Sequence, residues 1–232
     1  MNGKTQPVPG TTERPILFNG EMVRAILEGR KTVTRRPLKN QMANDWHIAD
    51  PKNPMATITS AHPKKGKFGL LIRREIYPDS GKFEYDVIVS PFGRPGDRLW
   101  VRETFAVYGD EKFAAIHYRA DRPHDVGRKD VGYKPSIHMP RWACRILLEI
   151  TDVRVERLQH VSEEQARNEG ISPLPCGRFH CGHDEQGQVT SKSAITAFAW
   201  VWNSINGEGG WAANPWVWVV EFKRVSPGEA AA

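Results

Sequence analysis

The segment Gly29-Arg30-Lys31-Thr32-Val33-Thr34-Arg35-Arg36 concentrates residue types that can do chemistry. A lysine drawn out of water is pushed toward its neutral form and can act as a base near neutral pH. Thr34 lies three residues on, and a hydroxyl beside a neutral amine can be a nucleophile. Arg35 and Arg36 carry planar forks suited to phosphate or carboxylate. An oxyanion formed here would need a donor, and a backbone N–H of this turn or Arg36 can supply one. Against this stands a plainer alternative, a solvated basic surface between a helix and a loop.

Other candidates lie further along. Trp100, Arg102 and Glu103 follow one another on a strand, as pocket lining or as a cross-strand ion pair. His138 and Arg141, with Trp142, surround a proline and can form a rim that stacks a base, although Trp142 fits packing equally well. Cys176, His180, Cys181 and His183 put four zinc-ligand types into eight residues. Their order is not that of a standard finger, and adjacent His180 and Cys181 point apart unless the backbone turns sharply. Both a structural zinc and a polar loop are open readings.

Elements must hold these residues. Ile16–Phe18 reads as a first strand. Asn19 caps a helix over 20–28, which Gly29 ends, and Pro37 stops further helix. Residues 39–96 are polar, with strands expected at 68–72 and 83–89 around the turn Asp79-Ser80-Gly81-Lys82. Arg94–Asp97 is a tight turn into a strand, and 114–118 is another. Residues 120–138 read as a polar loop. Alternation over 144–158 changes parity between Ile150 and Val153, which predicts a bulge. Ser162 caps a short helix to Glu169, ended by Gly170. Residues 171–190 read as a loop, 193–205 as a helix and 216–225 as a closing strand. Together these predict an α+β fold built on a small twisted β-barrel with short flanking helices.

The chain has 232 residues, a net charge of +6 and a pI near 9.3, which favours polyanionic partners. No apolar run approaches the roughly 18 residues of a membrane span. Three cysteines argue against a secreted disulfide framework and for the cytoplasm. Residues 1–12 and 226–232 read as tails around a single domain over 13–225. The composition leaves the oligomeric state open.

Three stretches resemble the ASCH domain family, a PUA-like β-barrel family: Ile26–Arg36, with a Gly and a Lys two residues on; Pro95–Val101; and Asn214–Phe222. Many members carry a Glu where this chain has Thr34. The resemblance is closest to phage- and prophage-encoded members, in which Ile137-His138-Met139-Pro140-Arg141-Trp142 is characteristic. Residues 39–90 and 172–192 look like insertions relative to the smallest members. A more distant branch, the bacterial 4-acetylcytidine amidohydrolases, is similar at Lys31 and Thr34, and its distant Glu falls on Glu169. This chain is about twice as long as that branch. The resemblance implies RNA or a modified nucleoside as partner, held in a basic cleft by Gly29, Arg30, Arg35 and Arg36. It also implies an amide hydrolysis by Lys31, Thr34 and Glu169 that requires no cofactor. Ribonuclease activity, and a non-catalytic phage protein that binds RNA or protein, are the alternatives.

Overall fold

The computed structural model describes residues 11–43, 45–59, 63–109, 115–125, 131–184 and 187–225. In chain order the elements begin β1 (Glu13–Leu17), α1 (Gly20–Leu27) and β2 (Val33–Pro37). Next come β3 (His47–Ile48), β4 (Met55–Thr57), β5 (Phe68–Glu75) and β6 (Phe83–Val89), which form a second sheet. There follow β7 (Arg98–Arg102), β8 (Phe105–Tyr108), β9 (Ala115–Tyr118), β10 (Leu147–Arg157) and α2 (Glu163–Asn168). The chain then runs through β11 (Phe179–Asp184), β12 (Gly187–Ser191), α3 (Ala194–Asn206) and β13 (Trp216–Arg224). The fold is mixed α+β, mostly sheet with few short helices.

The central sheet runs β1-β7-β10-β13-β2. β1 and β7 are parallel and the other pairs antiparallel. Strand alternation divides its side chains between two cores. Leu99, Val101, Leu148, Ile150, Val153, Val155, Trp218 and Val220 pack on one face, with α1 and the second sheet, β3–β6. Val33, Val217 and Val219 face the other, against α2, α3 and β11. Burying each such aliphatic side chain contributes roughly 1.5–3 kcal/mol. The register shifts between Ile150 and Asp152, where the parity change predicts a bulge.

Three expectations need correction. The basic segment is not a turn throughout: Val33–Pro37 is an edge strand paired with β13. The loop expected over 171–190 contains the hairpin β11–β12, with Phe179 and Cys181 buried beneath α3. Among the described residues the sheet edges β1 and β2 do not pair, so the sheet is open rather than a closed barrel. A side chain spans part of that gap, since Arg36 Nη2 donates to Leu17 O at 2.5 Å.

The second sheet is built around β5 and packs Leu70 and Ile72 into the main core. β5 pairs with β3, β4 and β6, and Asp79 and Gly81 take positive φ at the β5–β6 turn. Residues 1–10 and 226–232, most of the two expected tails, lie outside the described residues. Thr12 is tied down, its N–H donating to Asp97 Oδ1 at 3.0 Å. No helix among the described residues is long and apolar enough to cross a membrane.

Candidate active site

Two helix ends create the site. Asn19 caps α1 by accepting from Met22 N, and Gly29, at φ 75°, turns the chain so that Arg30 N and Lys31 N both donate to Ala25 O. Ser162 and Gln165 form a reciprocal capping box on α2, which Gly170 ends at φ 98°. A Cβ on Gly170 would lie 3.0 Å from Ala25 Cβ and 3.5 Å from Lys31 Cβ, so only glycine lets the two ends abut. An isolated bridge joins Lys31 to Glu169, and Thr32 N donates to Asn168 O at 2.9 Å.

Lys31 and Glu169, 138 positions apart, therefore meet in the interior at 2 % and 7 % exposure. Lys31 Nζ donates to Glu169 Oε2 at 2.6 Å, and to the carbonyls of Val33 and Glu169 at 2.9 Å each. Arg35 Nη1 reaches the other carboxylate oxygen at 3.3 Å, while Nη2 donates to Gln165 Oε1 at 2.9 Å and lies 3.6 Å from Glu156 Oε2. Burial lowers the Lys31 pKa below its ordinary 10.5; Glu169 opposes that shift, and Arg36 and Arg35 add to it. Burial likewise lowers Arg36, with Glu169 opposing. The Phe18 ring lies 5.6 Å from Lys31 Nζ and 5.3 Å from the Arg36 guanidinium.

Beside this network is a cavity of about 50 Å³, lined by Thr34, Arg35, Arg36, Glu169, Trp202 and Asn206 among others. At roughly 10–15 Å³ per water, it has room for about three to five waters, about an acetyl group. Glu169 faces the cavity and Lys31 stands behind it. A larger groove of about 610 Å³, between the β3–β6 sheet and Trp218, is lined by none of the expected site residues.

The other expected residues separate. Gly29 and Arg30 are exposed, and the Arg30 fork is taken by Glu28, Gly170 O and Ser172. Arg35 also spends its fork internally rather than on an outside phosphate. Glu103, 1 % exposed, is closed by Arg145, which donates to its two carboxylate oxygens at 2.8 and 2.9 Å. Trp100, Arg102, His138 and Arg141 belong to the β7 side of the sheet, where Arg102 comes nearest the pair: Phe18 N donates to Arg102 O at 3.2 Å, and the Phe18 ring is the one beside Lys31 and Arg36. His180 is exposed and Cys181 buried, so these neighbours do not converge. Cys176 is exposed, and the His183 side chain lies outside the described residues. Among the described residues no cluster of three metal-ligating side chains occurs.

Sequence reading missed Gln165, Glu156, Trp202 and Asn206. The Ser162-x-x-Gln165 spacing was the available signal for Gln165, whose Oε1 serves both the capping box and Arg35. No protein-family model, curated protein or solved structure matches this chain.

Proposed function

We propose that this chain is a PUA-like protein of the ASCH type that binds an acylated nucleoside, free or in RNA, and hydrolyses its amide. The observation that carries the reading is the buried Lys31–Glu169 pair, beside a small, largely apolar cavity that Glu169 and Thr34 both line. Burying charge in this way is costly unless it is paired, and structural ion pairs have no need of a cavity with a hydroxyl beside it.

In the proposed reaction Thr34 Oγ1 attacks the acyl carbonyl carbon. Its proton passes to Glu169 and on to neutral Lys31 across their 2.6 Å contact. The Arg35 and Arg36 cations stabilise the oxyanion. The C–N bond breaks as the nucleobase amine takes the proton back. Water then cleaves the Thr34 ester, releasing a carboxylic acid. The cavity holds the acyl group, with the base across its mouth.

The test is release of cytidine from N4-acetylcytidine, followed by chromatography. Wild type turns over, while Thr34→Val and Glu169→Gln do not. Absence of turnover in the wild type across pH 6–10, or full activity of Glu169→Gln, would falsify the hydrolase. One observation favours a second reading, binding without turnover: the three acceptors around Lys31 Nζ suit a locked ammonium. Retention of the intact nucleoside in equilibrium dialysis, without cleavage, supports it.

A further inference from the structure

The groove between the β3–β6 sheet and Trp218 shares only Pro37 with the lining of the small cavity beside Glu169. It holds about 610 Å³, within the roughly 300–1,000 Å³ of small-molecule sites. The segment after β2, strands β5 and β6, Phe92 and β13 converge on it. Met42, Trp46, Ile72, Ile88, Phe92 and Trp218 make its lining largely apolar and aromatic. Ile72 and Trp218 are buried members of the main core, and the other four pack against it, so the groove is floored by close-packed structure.

Its polar lining is tied down as well. Gln41 Nε2 donates to Leu38 O at 2.9 Å and to Trp216 O at 3.0 Å, and Gln41 Oε1 accepts from Trp216 N at 2.6 Å. Trp46 N donates to Ala43 O, and the Arg74 guanidinium lies 5.1 Å from the Trp46 ring centre. Lys64 Nζ donates to Asp86 Oδ1 at 2.8 Å and to Val87 O at 2.7 Å, which neutralises the Asp86 charge. The Gln41 amide and the Lys64 ammonium are thus engaged within the protein. Lys39 and Asn40 also line the groove, and among the described residues their side chains make no hydrogen bond or ion pair.

This lining selects a ligand chemistry. The indole and phenyl rings of Trp46, Trp218 and Phe92 suit a planar aromatic body, which gains from burial and ring contact. One unengaged ammonium beside an unengaged amide balances a single negative charge, and the N–H donors of both match a carboxylate. A phosphate dianion would bring more charge than Lys39 balances. We propose that this groove binds a planar aromatic carboxylate, with its ring against the aromatic lining and its carboxylate at Lys39 and Asn40. The proposal rests on no part of the hydrolysis reading.

Isothermal titration of the full chain with 2-naphthoate at neutral pH tests it, beside the neutral 2-naphthamide and the dianionic 2-naphthyl phosphate. Naphthoate saturates a single site and binds more tightly than either relative. Lys39→Met weakens naphthoate about fivefold and leaves naphthamide unchanged, a difference that lost packing does not produce. Trp46→Leu weakens both by roughly tenfold. Lys39 is exposed, so its variant folds, as a melting curve checks. Lys31→Met binds naphthoate as wild type, which keeps this outcome separate from any loss of hydrolysis. The proposal is overturned by absence of saturable binding at millimolar naphthoate, by equal affinity for acid and amide, or by unchanged naphthoate affinity in Lys39→Met. Tighter binding of naphthyl phosphate, or loss of binding in a folded Lys31→Met, also overturns it.

Discussion

Two buried glutamates, Glu103 and Glu169, solve the same problem differently. Glu103 receives both donors of one Arg145 edge, and Arg145 gives its other donors to Asp121 at 2.7 and 2.8 Å. The guanidinium also covers the Tyr118 ring at 3.9 Å. Burial raises Glu103, while burial acts against the Arg145 charge and hydrogen bonds to Glu103 and Asp121 outweigh it. One cation thus serves two carboxylates in a closed fork. Glu169 instead takes single contacts from two cations, Lys31 and Arg35, beside a hydroxyl and a cavity. The closed fork is architecture; the open, cation-rich arrangement leaves room for a reacting group.

The largest effect separates the two directly. Glu169→Ala strands two buried cations and costs about 3–5 kcal/mol. Glu103→Ala leaves Arg145 bound to Asp121 and costs about 1–3 kcal/mol. Urea unfolding measures both, and the reverse order would undo the comparison. Thr34→Val comes next. Among the described residues the Thr34 side chain makes no hydrogen bond, so stability changes by less than about 1 kcal/mol, while hydrolysis falls at least about 100-fold. An active, stable valine variant would take Thr34 out of the chemistry.

The pH dependence is smaller, and opposite at the two sites. The folded pKa of Lys31 lies below 10.5, so the unfolded chain binds that proton more tightly. Its contribution to stability rises with pH from the folded value up to 10.5. The folded pKa of Glu103 lies above 4.5, so its contribution is full below 4.5 and is lost as pH rises through the folded value. Lys31→Met flattens the alkaline rise and Glu103→Gln the acid-side fall, read from urea midpoints. Hydrolysis should climb with pH along a limb centred below 10.5; a flat profile would count against Lys31 as the proton's destination. The smallest effect is at Arg30. Its pairing with Glu28 is on the surface, and Arg30→Ala changes stability by at most about 1 kcal/mol.

Local signals were legible where side-chain chemistry acts within a few residues. Asn19 and Ser162 as caps, Gly29 and Gly170 as terminators, and the Ile150–Val153 parity change all read correctly. The β11–β12 hairpin was hidden because only Phe179 and Cys181 signal a buried face, within a stretch of Gly, His and Arg. The basic segment looked like a turn because charge suggests solvent; burial of Arg35 against Glu169 and Gln165 makes it a strand.

By itself the sequence determined where helices start and stop, which strand faces are apolar, and that Lys31 and Thr34 share one short segment. Those features depend on contacts over a few residues. Only the tertiary structure decided that Glu169 meets Lys31 at 2.6 Å, that Glu103 is closed off by Arg145, and that, among the described residues, Arg98 Nε and Nη1 and Arg102 Nε are buried without an acceptor. Each depends on burial and on partners many positions away, and burial turns a surface charge into either a lock or a site.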